Sequence, residues 1–271
     1  LSWAVRKPFY VIAHGTDFLH VRRPVERLLM AMVMKRAARI LANSRATRER
    51  LIVAAGLRAR SITVLHPPYA PAFADAAASI ACTNRKPEPT TLLTVARLTS
   101  RKGHEPVLRA LPRVLDEFPA LRYRIVGTGP CLVGLKDLVS ALGLEGVVQF
   151  VGQVTDQELI GEYQACDIFV MPSEDARDGS DIEGFGMVYI EANLFGKPVI
   201  GARSGGIPDA ILEGETGVLV DPGRPDTLSD AILKLLRDPA LAGTLGRQGR
   251  IHAASFAPPA VAARFRQVTG E

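Results

Sequence analysis

The chain has 271 residues, of which 47% are hydrophobic and 23% are charged, a composition typical of a folded globular protein. No apolar run approaches the roughly 20 residues that a membrane-spanning helix requires. Three cysteines without disulfide or zinc-site spacing exclude a disulfide-stabilised secreted domain and favour a reducing, cytoplasmic environment. The net charge of +5 is uneven, because residues 1–60 carry 13 Lys/Arg against 3 Asp/Glu. This basic module indicates either a solvated helix surface or an anionic membrane or acceptor, and no aromatic or recognition motif supports nucleic acid.

Strands and helices are predicted to alternate in the basic module. In order they are strand Phe9–Ala13, helix Pro24–Ala38, strand Arg39–Ala42, helix Arg45–Ala55 and strand Ser61–Leu65. Ser44 is the predicted N-cap of the second helix, which should stop at Gly56. Residues 67–90 are rich in proline, alanine and small polar residues, which predicts a linker or an insertion with little core of its own.

Repeated strand–helix units follow from residue 91. The predicted strands are Thr91–Ala96, Arg122–Val126, Val147–Val151, Ile168–Met171, Pro198–Ile200 and Gly217–Val220. The predicted helices are Glu105–Phe118, Cys131–Leu142, Asp156–Ala165, Met187–Phe195 and Asp226–Leu236. Continuous apolar strands between amphipathic helices predict an α/β fold with a parallel sheet covered on both faces. We expect a Rossmann-like domain over residues 91–252, and in residues 1–66 the carboxyl-terminal part of a second one.

The segment from Glu183 to Glu191 carries the strongest functional signal. Gly184 and Gly186 separate the first carboxylate from an apolar helix, so the backbone there can approach a ligand closely. The helix points its free N–H groups at that ligand, and Glu191 lies between one and two turns into it. Such groups suit a sugar nucleotide, whose phosphates need donors and whose hydroxyls need carboxylates.

Two turns of the second domain are candidate phosphate sites. Arg97 and Lys102 flank the turn after the first strand, where two cations can hold a diphosphate, although loop cations are also common on ordinary surfaces. The next turn contains Gly127 and Gly129 but has Leu132 where a dinucleotide fingerprint needs its third glycine. A nicotinamide dehydrogenase is therefore disfavoured, and this turn should either admit a nucleotide or pack tightly.

Weaker signals come from two further strand ends. The turn containing Gly152, Val154 and Thr155 could pair with a base edge through its backbone, and Thr155 or Asp156 should cap the next helix. His14 lies at the end of the first readable strand, where a parallel sheet presents its ligand. A single histidine is more often structural than catalytic, and Asp17 would either orient His14 or cap the loop.

Together these residues resemble the retaining GT-B glycosyltransferases of family 4, a group that includes bacterial α-mannosyl- and α-glucosyltransferases. The motifs that carry the resemblance are Glu183 with Glu191, Arg97 with Lys102, and Gly205–Asp209. The match extends from His14 to the region of Pro222. The run from Asp181 to Gly184 and the Gly205–Asp209 turn look like those of phosphatidylinositol mannosyltransferases and exopolysaccharide-building relatives.

The resemblance implies a role for each matching residue. Arg97 and Lys102 would hold the donor diphosphate, with Gly127 and Gly129 beside it. Glu183 and Gly184 would contact the donor sugar. The N–H groups of Phe185, Gly186 and Met187 would position that sugar, and His14 would face it from the other domain. Glu191 would bind the ribose hydroxyls. The base would lie along Gly152, Val154 and Thr155.

The resemblance also implies the reaction. A hexose would pass from a GDP- or UDP-sugar co-substrate to a lipid-linked or saccharide hydroxyl with retention of configuration, without metal or further cofactor. In this architecture the last helix, within residues 253–271, returns to the amino-terminal domain. The family's usual start has no match here, so an exposed apolar face is expected near residues 1–65, with weak donor binding. Contact with an anionic membrane at its inner face fits the basic module.

Three alternatives stay open from the residues. The fold could serve as a non-catalytic sugar-nucleotide-binding scaffold, although the intact candidate residues argue against that. It could host an epimerase acting on the same donors, which would form product without an acceptor. The acidic loop from Glu174 to Asp181 could bind calcium, although a solvated, mobile loop is favoured.

Overall fold

The computed structural model describes residues 8–15, 17, 21, 23–58, 61–78, 90–176, 178–179 and 181–270 of the chain. Within the first part lie strands β1 (Tyr10–Ala13), β2 (Arg39–Ala42) and β3 (Ile62–Val64) and helices α1 (Pro24–Arg36) and α2 (Arg45–Ala55). The three strands form a parallel sheet in the order β1-β2-β3. The Ser44 hydroxyl accepts from the Thr47 N–H, and Gly56 ends α2 in the left-handed region at φ 59°, so both predicted caps are confirmed.

The second part contains a six-stranded sheet in the order β6-β5-β4-β7-β8-β9, whose neighbouring strands pair in parallel. Its strands are β4 (Thr91–Val95), β5 (Arg122–Val126), β6 (Val148–Gly152), β7 (Ile168–Met171), β8 (Val199–Ala202) and β9 (Gly217–Val220). The direction of winding reverses between β4 and β7, which is where an α/β sheet of this kind receives its ligand.

Helices cover both faces of the second sheet. They are α3 (Pro71–Ala78), α4 (His104–Leu115), α5 (Leu132–Ala141), α6 (Asp156–Ala165), α7 (Met187–Leu194), α8 (Ile207–Ala210), α9 (Pro225–Arg237), α10 (Pro239–Ala253) and α11 (Pro258–Thr269). Leu92 and Leu93 are both fully buried but belong to the cores on opposite faces, as do Phe169 and Val170. Side chains alternate across a strand, so burial on both sides explains the consecutive apolar residues in β4 and β7. The predicted α/β fold is confirmed.

Residues 67–90 differ from the expected linker. Pro71–Ala78 forms α3, and its Phe73 and Ala77 are buried in the core of the second sheet. The Phe73 ring meets those of Tyr163 and Phe195, with centroids 6.1 and 6.4 Å away. The small alanines that suggested a linker instead let a short helix pack closely. Residues 79–89 lie outside the described part of the chain.

The last helix, α11, contacts the first sheet. The Tyr10 hydroxyl donates to the Thr269 carbonyl at 3.5 Å, and the Tyr10 ring meets Phe265 edge-on at 5.8 Å. Arg39 Nε donates to the Val268 carbonyl at 3.4 Å. The chain therefore joins its two sheets twice, once after β3 and once before α11.

Exposed apolar side chains are concentrated on α1, within the region where sequence predicted them. Five residues that share one face of the helix are between 42% and 66% exposed: Val25, Leu28, Leu29, Met32 and Val33. Met34 is the buried residue of this helix and packs on the first sheet. Among the described residues, no helix is both long enough and apolar enough to cross a membrane.

Candidate functional site

The loops at the carboxyl ends of the two sheets touch one another through glycines. A Cβ on Gly15, after β1, would lie 2.9 Å from the Gly184 Cα, after β7. A Cβ on Gly184 would lie 2.8 Å from Asn43 Nδ2, and one on Gly206 would lie 2.9 Å from the Ser44 Cβ. Contacts this short exclude a side chain, so these glycines are what allows the two sheets to meet at this edge.

Ion pairs from α2 reinforce the same contact. The Arg45 backbone N–H donates to Asp209 Oδ2 at 2.7 Å, and Arg45 Nε donates to Oδ1 at 2.5 Å. Arg50 donates to Asp175 at 2.6 Å. The Asp209 side chain is only 5% exposed, so its charge depends on these donors. The Gly205–Asp209 motif thus attaches the second sheet to the first.

Glu183 is the centre of a polar cluster beside this contact. Its carboxylate is buried, and its Oε2 accepts from Lys102 Nζ at 2.5 Å, Ser173 Oγ at 3.1 Å and Arg101 Nη1 at 3.3 Å. Lys102 and Glu183 lie 81 positions apart in sequence, and the structure brings them into direct contact. The cluster offers two cations and one carboxylate in a site largely withdrawn from water, where charges interact strongly.

Arg101 is a member of this cluster that sequence reasoning missed. Its Nε donates to Asp181 at 2.5 Å, and its Nη1 reaches both Ser173 and Glu183 at 3.3 Å. Its backbone carbonyl accepts from the Glu174 N–H at 2.7 Å. The sequence offered one signal for Arg101, its position next to Lys102. Adjacent side chains usually point in different directions, so that signal was weak. The 3₁₀ turn at Ser100–Lys102 makes them converge.

Arg97 occupies a different position from Lys102. It is exposed at the start of the same turn, and no ion pair of Arg97 occurs within the described part of the chain. Gly103, at φ +78°, closes the turn, and any Cβ there would overlap Pro172. The turn therefore directs Lys102 inward to Glu183 and leaves Arg97 at the rim of the site.

His104 follows this turn and is buried at the start of α4. Burial, aided by the charge of Lys102, lowers the pKa of its imidazole to about 4. His104 is therefore neutral at pH 7, and the positive charge near Glu183 belongs to Lys102 and Arg101.

The glycine turn after β5 packs tightly against the first turn. A Cβ on Gly127 would overlap the Ala96 carbonyl, and one on Gly129 would lie 2.6 Å from the Leu98 carbonyl oxygen. The Gly127 N–H also donates to the Gly152 carbonyl at 2.8 Å, which joins this turn to the next. Of the two readings of these glycines, close packing of turn on turn is the one visible in the structure.

The turn after β6 ends in a capping box. The Thr155 hydroxyl accepts from the Glu158 N–H at 3.3 Å, and Glu158 accepts from the Thr155 N–H at 2.8 Å. Thr155 rather than Asp156 is therefore the N-cap. Gly152 has φ +84°, and Val154 packs partly against the core of the sheet.

Glu191 lies on α7 and faces α6. Its carboxylate accepts from the Tyr163 hydroxyl at 2.8 Å. Burial raises the pKa of Glu191 above its ordinary value of 4.5, and the charge of Asp156 acts in the same direction while the Tyr163 bond opposes both. The half-buried carboxylate thus packs against α6 through Tyr163, near the carboxyl end of that helix.

The glycine before α7 also shapes this region. Gly186 has φ +87°, and a Cβ there would lie 2.5 Å from the Tyr189 ring. Phe185 is 2% exposed, and its ring belongs to the core, whereas Met187 begins the helix. This backbone brings residues 184–187 to the helix N-terminus, the end that favours anions and hydroxyl oxygens.

His14 is exposed at the end of β1, next to Gly15. Asp17 accepts from the His14 backbone N–H at 3.0 Å, and the Asp17 N–H donates to the His14 carbonyl at 2.9 Å. Of the two roles considered for Asp17, these contacts are those of a loop cap. Because Gly15 touches Gly184, the structure brings His14 to the second sheet.

The acidic loop is bound by neighbouring groups. Asp175 pairs with Arg50, Asp181 pairs with Arg101, and Glu174 accepts from the Gly223 N–H at 2.9 Å. These carboxylates are half-buried rather than solvated. The loop therefore differs from the solvated one favoured by its sequence, because cations distant in the chain face it.

The model of the family described as "Glycosyl transferases group 1" matches residues 77–252. The GDP-mannose-dependent alpha-(1-6)-phosphatidylinositol monomannoside mannosyltransferase of Mycolicibacterium smegmatis is 39% identical over 156 residues, covering 58% of this chain and 41% of the relative. The D-inositol 3-phosphate glycosyltransferase of Streptomyces bingchenggensis is 33% identical over 87% of this chain and 53% of the relative. The chain thus spans about half the length of these relatives or less.

Solved structures have the same fold. Anabaena Alr3699/HepE in complex with UDP superposes with a TM-score of 0.83 at 22% identity, covering 99% of this chain and 74% of that one. Sucrose-phosphate synthase from Thermosynechococcus elongatus superposes with a TM-score of 0.77 at 26% identity, covering 98% and 69%. The arrangement of the two parallel sheets is therefore that of GT-B glycosyltransferase structures.

Proposed function

Because this chain belongs to the glycosyl transferases group 1 family, we propose that it transfers a hexose from a nucleoside-diphosphate sugar to a hydroxyl acceptor with retention of configuration. The observation that carries this proposal is the cluster in which Lys102, Arg101 and Ser173 converge on the Glu183 carboxylate. It lies at the carboxyl edge of a parallel sheet, beside a helix N-terminus. Anionic and hydroxyl-rich ligands bind in such places.

The cations of the first turn would hold the donor diphosphate. Lys102 would exchange part of its contact with Glu183 for a phosphate oxygen, while exposed Arg97 would approach the diphosphate from the rim. Arg101, tied to Asp181, would keep a positive charge near Glu183 during that exchange. With three cations available, we propose that transfer needs no metal ion and no further cofactor.

The donor sugar would lie against the backbone of residues 184–187. Glu183 would accept from sugar hydroxyls, and the N–H groups of Phe185, Gly186 and Met187 at the start of α7 would donate to sugar oxygens. His14 would face the sugar from the first sheet, because Gly15 touches Gly184. The hexose would be of mannose or glucose type.

The nucleoside would extend toward α6. Glu191 would accept from ribose hydroxyls, and Gly152, Val154 and Thr155 would run along the base, with the turn of Gly127 and Gly129 packed beside them. The name of the relative at 39% identity specifies GDP-mannose, which supports this donor as the first to test. A UDP-sugar is the second.

In the transfer step the bond between the anomeric carbon and the diphosphate oxygen breaks as the bond to the acceptor oxygen forms on the same face of the sugar. The acceptor proton passes to the departing phosphate oxygen, so the nucleoside diphosphate leaves with the electron pair of the broken bond. Positive charge develops on the sugar and negative charge on the phosphate. Lys102 and Arg97, already at the phosphate oxygens once the donor is bound, would stabilise the phosphate charge as it develops.

We further propose that α1 contacts an anionic membrane surface, where a lipid-linked acceptor would be reached. Its exposed apolar stripe, Val25 to Val33, is flanked by basic residues including Arg23, Lys35 and Arg36. Apolar and basic side chains together favour an anionic bilayer surface. Co-sedimentation should be stronger with anionic than with neutral vesicles, and equal binding to both would contradict the proposal.

Calorimetry with GDP, UDP, ADP and their mannose and glucose conjugates, with EDTA present, tests the donor assignment. We expect saturable binding of one nucleoside diphosphate and its sugar conjugate, lost in Lys102→Ala and kept in Lys136→Ala, which removes an exposed lysine on α5. The anomeric configuration of the product, read by NMR, tests retention. Donor binding without transfer to any acceptor would favour a scaffold, and a converted donor formed without acceptor would favour an epimerase.

A further inference from the structure

A group of aromatic rings lies where the chain passes between its two sheets. His66 follows β3, and its ring stacks on Phe185 with centroids 4.9 Å apart and planes 25° apart. Phe256, just before α11, meets both His66 at 5.8 Å and Phe185 at 5.4 Å. The Tyr69 N–H donates to the Phe256 carbonyl at 3.3 Å. Both connections between the sheets therefore pack on one residue of the Glu183–Gly186 loop.

His66 is also fixed to the first sheet by a hydrogen bond. Its Nδ1 lies 3.1 Å from the Asn43 carbonyl oxygen, and a carbonyl only accepts, so Nδ1 carries the proton. The Asn43 side chain in turn lies against Gly184. The first sheet thus contacts two adjacent residues of the loop: Asn43 contacts Gly184, and His66, bonded to the Asn43 carbonyl, contacts Phe185.

We infer that His66 is a positioning residue for the donor sugar, acting through Phe185 and not by touching the ligand. This inference rests on the proposed function, in which Glu183 and the N–H groups of residues 185–187 contact the sugar. The groups proposed for the diphosphate and nucleoside, Arg97, Lys102 and Glu191, make no contact with His66 among those the structure describes. Loss of His66 should therefore weaken recognition of the sugar while leaving recognition of the nucleotide intact.

Calorimetry with GDP and GDP-mannose tests this inference, or with UDP and UDP-glucose if the wild-type protein prefers them. In His66→Ala we expect the Kd of the sugar nucleotide to rise about tenfold, because one hydrogen bond and one ring contact are lost. The Kd of the nucleoside diphosphate should change by less than about twofold. His66→Phe keeps the stack and His66→Asn keeps a donor to Asn43, so each should show part of the effect. His66→Phe also retains the ring volume if His66→Ala does not fold.

Phe265→Ala is the matched control, because it removes an aromatic contact of the first sheet that does not involve the loop, the edge-on contact of Phe265 on α11 with Tyr10. It should leave the ratio of the two dissociation constants at its wild-type value. An unchanged ratio in the His66 variants, or an equal change in Phe265→Ala, would overturn the inference. Failure of the proposed function looks different, since the wild-type protein would then bind neither ligand.

Discussion

The second sheet buries apolar side chains on both faces, whereas the first sheet leaves an entire helical stripe of them exposed. Leu92 and Leu93 are fully buried on opposite faces of β4, but Leu28 and Leu29 of α1 are 62% and 55% exposed. The polar groups follow the same division. The second sheet supplies the Lys102–Glu183 cluster, and the first supplies backbone contacts, Asn43 and His66. One region therefore carries the polar cluster around Glu183, and the other contacts the loop on which Glu183 lies.

The largest expected effect concerns the cluster of the second sheet. Lys102→Ala should lower the rate of transfer by about 10²–10³-fold, because a positioned charge at the leaving phosphate is lost. Steady-state kinetics with the donor selected by calorimetry measures the effect. Lys136→Ala, on the surface of α5, should retain wild-type rates, and a similar loss in both variants would point to general damage.

The contrast in burial can be measured directly by unfolding. Leu51→Ala, in the core of the first sheet, should lower the free energy of unfolding by about 3 kcal/mol, because it leaves a cavity. Leu28→Ala, on the exposed face of α1, should change it by less than about 0.5 kcal/mol. Urea titration followed by circular dichroism measures both. A comparable loss in Leu28→Ala would mean that the α1 stripe is covered in solution.

The contact between the two sheets should contribute less to the free energy of unfolding than the buried Leu51 side chain does. Asp209→Ala removes the acceptor of the Arg45 backbone and side chain, and we expect a loss of about 2 kcal/mol because hydrogen bonds to a charged group are involved. Asp221→Ala removes the more exposed carboxylate paired with Arg203 and should cost less than about 1 kcal/mol. Equal losses in the two variants would show that the Arg45–Asp209 contact stabilises the fold no more than an exposed ion pair does.

The smallest effect depends on pH. Glu191 has its folded-state pKa raised above 4.5, so its ionisation opposes folding once the pH exceeds the unfolded value. Glu191→Gln should therefore have a higher Tm than the wild type at pH 7, and the gap should close as the pH falls below 4.5. The same variant should bind nucleoside diphosphate more weakly. A gap that widens in acid would contradict the raised pKa.

Much of the fold could be predicted because local signals determine it. Ser44 and Gly56 bound α2 through hydrogen bonds and backbone angles that involve only near neighbours. The apolar runs predicted the strands, since burial on both faces favours consecutive apolar residues. The 3₁₀ turn at Ser100–Lys102 and helices α3 and α10 were not predicted. Phe73 is buried against Tyr163, which is ninety positions away and gives no local signal.

The sequence by itself determined which residues could form a site: Glu183, Glu191, Arg97, Lys102 and His14, each in a loop that follows a predicted strand or in the first turns of a helix. Only the tertiary structure decided which of them meet. It joined Lys102 to Glu183, left Arg97 at the rim, added Arg101 and Ser173, and set His66 against Phe185. The physical reason is that strand order and the contact of the two sheets bring together residues many positions apart, whereas periodicity, caps and turns depend on neighbours in the chain.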